Sequence, residues 1–153
     1  MYQGKNGRIV RVEEGAALFK KHAKLKARRG CYIFGMRAGK GITPTYVGKA
    51  TKNFGQECFT AHKLDKCNQT LVDYAKGTLV IVFVVAPPGK GRPAKTQIGD
   101  IEDFFIQTGV AKNPNLLNVQ GTKRAEWSIT GVIRAKKGKP PKASSLLKSA
   151  MGI

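Results

Sequence analysis

A carboxylate on the apolar face of a helix is the first candidate for chemistry in this chain. Residues 95–108 are predicted to form a helix, and at about 100° per residue its large apolar side chains fall on one arc. These side chains belong to Ile98, Ile101, Phe105 and Ile106. Glu102 falls inside the arc, whereas Asp103 points away from its centre. Because a buried carboxylate is costly unless it is paired, Glu102 is either a ligand of a hard cation such as Mg²⁺ or the partner of one of 28 Lys and Arg residues.

Two strand-like segments each carry a tyrosine. Residues 30–34 read GCYIF and residues 45–50 read TYVGKA, with a Gly-rich basic loop between them. On adjacent strands, the hydroxyls of Tyr32 and Tyr46 are expected to converge near one phosphate, where a phenol orients an attacking water or, once deprotonated, relays its proton. The alternative is that both tyrosines are half-buried aromatic residues of the sheet.

The order of these motifs resembles the GIY-YIG nuclease family. GCYIF and TYVGKA match the family's two tyrosine motifs, and a predicted helix follows them. Glu102 stands at the place of the family's metal-binding glutamate, and Asn118 at the place of an asparagine that many members keep. The resemblance covers about residues 30–118 and implies a small α+β nuclease domain.

The resemblance also implies roles for the individual residues. Glu102 would bind a single Mg²⁺ (or Mn²⁺), and Lys49 would offset the charge that develops on the phosphate. Tyr32, Tyr46 or His62 would assist the attacking water, since a histidine can act as a general base at neutral pH.

Glu57 occupies the position at which the family has a phosphate-binding arginine. A carboxylate repels phosphate and cannot replace a guanidinium fork. Three hypotheses stay open. A cation from elsewhere in the fold replaces the arginine, the alignment of this helix is shifted, or the protein binds nucleic acid without cutting it. The cations considered are Arg37, Arg124 and Arg134.

The net charge favours a polyanionic partner. The chain has 28 Lys and Arg against 9 Asp and Glu, a formal charge of +19. This excess predicts nucleic-acid binding. For the nuclease that the resemblance implies, we expect DNA rather than RNA as the substrate. The predicted nucleic-acid contacts are Lys20, Lys24, Arg28, Arg29, Arg37, Lys40, Lys123, Arg124 and Arg134. No apolar run is long enough for a membrane span, so we expect no membrane partner.

The cysteines indicate a reducing compartment. The three cysteines, Cys31, Cys58 and Cys67, are odd in number and form no CxxC pair, which predicts a cytoplasmic protein. A nucleic-acid-binding protein in that compartment could also associate with the nucleoid. Cys58, His62 and Cys67 are not spaced like common zinc ligands, and a zinc site is therefore not favoured.

The predicted elements form an α+β fold. Helices are expected over 12–28, 53–64 and 95–108, and strands over 31–36, 43–48, 78–86 and 126–133. The continuous β-branched run of 78–86 predicts a central strand. These elements predict a small, mostly antiparallel sheet of about three strands flanked by helices. The predicted divisions are a basic extension (1–29), a nuclease-like domain (30–134) and a basic tail with a short helix (135–153).

The sequence therefore predicts a metal-dependent endonuclease. The alternatives are a catalytically silent nucleic-acid-binding protein on the same scaffold and, with less support, a structural basic protein. Glu102 distinguishes them, because its loss would abolish cleavage while leaving binding intact.

Overall fold

A computed structural model describes residues 12–87, 95–118, 120, 147 and 149–152. The predicted strand over 126–133 and the cations Lys123, Arg124 and Arg134 lie outside the described residues. The helices are α1 Val12–Lys21, α2 Ala23–Lys26, α3 Phe54–Glu57, α4 Ala61–Asp73 and α5 Lys95–Lys112. The strands are β1 Gly30–Ala38, β2 Gly41–Ala50 and β3 Thr78–Val85.

The three described strands form one antiparallel sheet in the order β2-β1-β3. This arrangement confirms the predicted α+β class and its mostly antiparallel sheet. In the described part of the chain β1 lies between the other two strands, and β3 pairs with β1 alone, so the central position predicted for 78–86 is not seen there. A continuous apolar run indicates that both faces of a strand are covered, and it does not reveal how many strands flank it.

Helices cover both faces of the sheet. Since successive side chains of a strand alternate between faces, Tyr32 and Phe34 pack in one cluster with residues of α1, α3 and α4. Cys31 and Ile33 pack in a second cluster with residues of α5 and with Leu147 and Met151 near the C-terminus. The buried side chains of β1 are therefore divided between two cores, one on each face of the sheet.

Two glycines allow the close packing that the sequence predicts at the motif strands. Gly30 has φ of 144°, and a Cβ there would overlap the carbonyl oxygen of Val84. A Cβ on Gly48 would lie 2.5 Å from the ring of Tyr32, its cross-strand neighbour. Any other residue at Gly48 would push Tyr32 out of its place in the core.

The helix predicted over 53–64 is broken in two. Asn53 caps α3, since its side chain accepts a hydrogen bond of 2.9 Å from the amide of Gln56. The chain then leaves helical geometry, and Thr60 is extended with φ −67° and ψ 160°. This break allows Phe59 to pack against the rings of Phe19 and Phe34. A new helix, α4, starts at Ala61 and continues to Asp73.

The other predicted helices differ from the structure at their ends. The helix predicted over 12–28 is interrupted at His22, whose φ of −124° and ψ of 56° are not helical. α5 extends four residues beyond its predicted end at Thr108, to Lys112. Asn113 follows it and donates a hydrogen bond of 2.7 Å to the carbonyl of Pro44, which ties the end of α5 to β2.

Candidate active site

An open cleft of about 570 Å³ crosses the edge of β2. Its walls come from β2, the α3–α4 region, α5 and the segment after α5. Five of the predicted catalytic residues line it: Tyr46, Lys49, His62, Glu102 and Asn118. β2 presents Tyr46 toward α4 and Lys49 toward α5, because residues three apart on a strand point to opposite faces. The cleft thus has an α4 side and an α5 side that meet at the edge of β2.

Lys49 and Glu102 form an ion pair on the α5 side. Lys49 Nζ lies 2.7 Å from Glu102 Oε2, with 45% of the lysine side chain and 14% of the glutamate side chain exposed. The hydrogen bond to Glu102 raises the pKa of Lys49, although burial opposes this effect. The sequence left two alternatives for Glu102, a metal ligand or the partner of a cation. In the structure Glu102 is paired with a cation.

Tyr46 lies on the α4 side of the cleft, largely buried. Its hydroxyl accepts a hydrogen bond from Lys63 Nζ, which also lies 4.7 Å from the centre of the tyrosine ring. Burial raises the pKa of Tyr46 to about 12, and the Glu102 carboxylate adds to this shift while Lys49 opposes it. Tyr46 is therefore a neutral phenol near pH 7, able to orient a neighbouring group by hydrogen bonding.

Tyr32 lies beneath the cleft and not on its wall. Its side chain is 0% exposed, and its hydroxyl donates a hydrogen bond of 3.4 Å to the carbonyl of Glu57. Burial raises the pKa of Tyr32 far above its usual value. The two tyrosine rings are 6.5 Å apart, but their hydroxyls bond to different partners. In this structure Tyr32 is a core residue that supports Tyr46 and α3.

Asn118 fixes the edge of β2 at the cleft. Its Nδ2 donates to the carbonyl of Val47 and its Oδ1 accepts from the amide of Val47, each at 2.8 Å. The amide of Leu117 donates to the carbonyl of Thr45, also at 2.8 Å. The segment after α5 thus satisfies the edge of β2 between Tyr46 and Lys49, and it holds both side chains in register.

The α3–α4 region brings His62 and Glu57 to the cleft. His62 is exposed in the first turn of α4. Glu57 also lines the cleft, and its Oε1 accepts a hydrogen bond from the backbone amide of Lys52. Glu57 therefore braces the connection between β2 and α3, which is a structural role for the residue at the expected arginine position.

Three further charged residues line the cleft and were not predicted: Lys63, Lys66 and Asp103. Burial lowers the pKa of Lys63, while the carboxylates of Glu102 and Glu57 oppose that shift. Since the charge of Glu102 acts on both Lys63 and Tyr46, the two sides of the cleft form one electrostatic site. The spacing of apolar residues on the helix predicted that Asp103 points away from the apolar face. A side chain pointing away from that face can still line the wall of an open cleft.

Six of the predicted nucleic-acid contacts lie in the described residues, and they fall into two groups. Lys20 and Lys24 are exposed on α1 and α2. Arg28 donates to the carbonyl of Ala86 at 3.3 Å, and Arg29 to that of Lys52 at 2.9 Å, at the end of the sheet where β1 begins.

Arg37 and Lys40 lie at the opposite end, beside the β1–β2 turn. In the β1–β2 register, Arg37 is six residues from Cys31, the partner of Lys49, or about 20 Å along the strand. Arg37 does not line the cleft, so its proposed replacement of the missing arginine is not supported by its position.

Metal-binding groups are sparse. Within the described residues, no cluster of three or more His, Cys, Asp or Glu side chains could hold a metal. Cys58 and Cys67 are buried in the core, whereas His62 is exposed at the cleft. The oxygen donors at the cleft that suit a hard cation are the carboxylates of Glu102 and Asp103, with Glu57 engaged by Lys52.

No helix in the described ranges is both long and apolar enough to cross a bilayer.

No family model, curated protein or solved structure matches this chain. The resemblance to GIY-YIG nucleases accordingly depends on the motif residues and stays a prediction.

Proposed function

We propose that this protein is a metal-dependent endonuclease of the GIY-YIG type that hydrolyses phosphodiester bonds, with DNA preferred over RNA. The observation that supports it best is the cleft itself. It collects Tyr46, Lys49, His62, Glu102 and Asn118 from β2, α4, α5 and the following segment. Glu102 is indicated by its place on an apolar helical face, and the resemblance indicates the other four residues, which lie far apart in the chain.

The cleft residues are compatible with a single Mg²⁺ or Mn²⁺. Glu102 and Asp103 offer oxygen donors, and Mg²⁺ is commonly held by one or two carboxylates together with waters and phosphate. Lys49 occupies the Glu102 carboxylate in this structure, but its half-exposed side chain can leave for a phosphate. Bound at Glu102, the metal would supply positive charge against the leaving oxygen.

The other side chains have separable tasks. Lys49, once released from Glu102, places its ammonium against the phosphate, whose negative charge increases during the reaction. Exposed His62 accepts the proton of an attacking water, and the neutral hydroxyl of Tyr46 orients that water or a phosphate oxygen. Asn118 holds the β2 edge and does not act on the substrate.

The partner in this proposal is nucleic acid in the cytoplasm, with the nucleoid as the natural source of DNA. The formal charge of +19 favours a polyanion. The three cysteines are free and buried, in keeping with a protein that needs no disulfide.

Cleavage of supercoiled plasmid by Glu102→Gln tests the nuclease directly. With Mg²⁺ or Mn²⁺ we expect wild-type protein to nick the plasmid, EDTA to stop it, and Glu102→Gln to lower the rate at least about 100-fold. The matched control is Asp100→Asn, which removes the same charge from an exposed position on α5 outside the cleft and should cut like wild type. Equal rates for wild type and Glu102→Gln would reject Glu102 as the essential carboxylate.

A silent binding protein on the same scaffold is the second candidate. It is favoured by Glu57, which lines the cleft where an arginine is expected, and by the Lys49–Glu102 ion pair that occupies the candidate metal ligand. Failure to cut plasmid, RNA and branched DNA with any divalent metal, combined with salt-sensitive binding, would support this candidate over the nuclease.

A further inference from the structure

Lys63 is a half-buried cation whose ammonium group faces the α4 side of the cleft. It donates a hydrogen bond to the hydroxyl of Tyr46 and lies over the ring of that tyrosine. It forms no ion pair with a carboxylate in the part of the chain that the structure describes, whereas Lys49 is neutralised by Glu102. A desolvated cation without a direct counter-ion gains free energy when an anion enters the cleft, because the anion replaces the hydration that burial removed.

The break between α3 and α4 brings Lys63 to this position. In one continuous helix Glu57 and Lys63, six residues apart, would point about 120° away from each other. Because Thr60 has extended backbone geometry, Glu57 and Lys63 are not on one helix and need not point apart. Thr60 and Lys63 both line the cleft together with Glu57. The N-terminal turn of α4, a helix of 13 residues, therefore starts at the cleft and adds its partial positive charge there.

We propose that Lys63 is the phosphate-binding residue of this cleft, taking the place of the absent arginine, and that through the same ammonium it positions the hydroxyl of Tyr46 against the bound phosphate. The proposal rests on the proposed function for its chemistry, but its geometry is independent of any metal. An ammonium with three donors can keep its bond to Tyr46 while it donates to a phosphate oxygen. Burial lowers the pKa of Lys63, and a phosphate placed against the ammonium group would raise that pKa again.

Lys63→Met and Lys63→Arg test the proposal, with Lys76→Met as the matched control. Methionine keeps the length and apolar packing of the stem, and arginine restores a cation. Lys76 is exposed in the α4–β3 connection and does not line the cleft. The first readout is steady-state plasmid cleavage, with the fold of each variant checked by circular dichroism. The second is the salt dependence of binding to a short DNA duplex in EDTA, which needs no catalysis.

We expect Lys63→Met to lower kcat about 100-fold or more with a smaller change in KM, and Lys63→Arg to recover most of that loss. In EDTA, Lys63→Met should reduce the slope of log K against log salt by about one phosphate contact, and Lys76→Met should change neither readout. A role confined to packing would predict that Lys63→Arg, the bulkier side chain, behaves no better than Lys63→Met.

The two readouts separate failure of this inference from failure of the nuclease. If wild type cuts and folded Lys63→Met cuts equally well with an unchanged salt slope, the role of Lys63 is refuted and the nuclease stands. If wild type never cuts but Lys63→Met still loses one contact from the slope, the nuclease is refuted and Lys63 remains a phosphate-binding residue. If wild type shows no salt-dependent binding, both proposals fail.

Discussion

At the scale of single residues, the cleft contains two lysines in contrasting environments. Lys49 is paired with Glu102 across 2.7 Å, while Lys63 bonds to a neutral phenol. The pKa of Lys49 is raised by its partner and that of Lys63 is lowered by burial. The charge of the paired lysine is already offset by a carboxylate, whereas the charge of the lysine bonded to a neutral phenol is available to a phosphate.

The ion pair makes Lys49 a competitor of the metal. Replacing Lys49 with Met should tighten Mg²⁺ binding about two- to fivefold, because an exposed ion pair of this kind contributes up to about 1 kcal/mol and the metal no longer displaces it. Isothermal titration calorimetry with Mg²⁺ alone measures this change without catalysis. Lys66→Met provides the comparison, since it removes the same charge from the cleft without touching Glu102. Equal Mg²⁺ affinities for the two variants would show that the specific pair does not matter.

At the scale of elements, β2 carries the site and neighbouring segments hold it in place. β1 fixes one side of β2 through the strand pairing, and Leu117 and Asn118 bond to the other side. Tyr46 and Lys49 thus stand on a strand held on both edges, which limits the movement of side chains that must act together.

The packing of Gly48 against Tyr32 should be essential to this arrangement. We expect Gly48→Ala to lower the free energy of unfolding by about 1–3 kcal/mol, because the added methyl group would lie 2.5 Å from the tyrosine ring. Urea denaturation followed by circular dichroism measures the difference. Gly41→Ala, at the start of the same strand, is the control, since its Cβ would meet no atom closer than 3.9 Å. Comparable losses in the two variants would contradict the packing argument.

At the scale of the whole molecule, positive charge is distributed around the sheet but the cleft is nearer one end. Lys26 packs against Gly55 of α3, and Arg29 bonds to the carbonyl of Lys52, so α2 and the start of β1 adjoin the cleft region. Arg37 and Lys40 lie beside the turn at the far end. Nucleic acid that enters the cleft should therefore contact the α2 side before the β1–β2 turn.

Binding should depend steeply on salt and more on α2 than on the turn. Between about 50 and 200 mM salt we expect DNA affinity to fall on the order of 10³-fold, the loss typical of about six phosphate contacts. The double variant Lys24→Ser/Lys26→Ser should reduce the salt slope more than Arg37→Ser/Lys40→Ser, which removes equal charge. Fluorescence anisotropy measures both. A flat salt response would reject nucleic acid as the partner, and equal slopes for the two variants would reject the assignment to α2.

Local signals in the sequence were sufficient for the three described strands and for the start of α5. Each depends on residues close together in the chain, where alternation, turn residues and caps act directly. The resemblance supplied most of the predicted catalytic residues, and all six of them except Tyr32 line the cleft. The position of Tyr32 on its strand shows which face of the sheet the side chain is on, but not how deeply it is buried, and Tyr32 was therefore expected at the cleft. Only the packing of α3 determines that burial.

The sequence by itself determined the charge and the α+β class, because composition and short-range periodicity encode them, and its motif order pointed to most of the candidate residues through the family resemblance. Only the tertiary structure decided that β1 is central, that Glu102 pairs with Lys49, and that a break at Thr60 brings Lys63 to Tyr46. These features depend on contacts between distant segments. The packing of the two cores determines which strand is central, which cation pairs with Glu102 and where the helix breaks. No local sequence pattern contains that information.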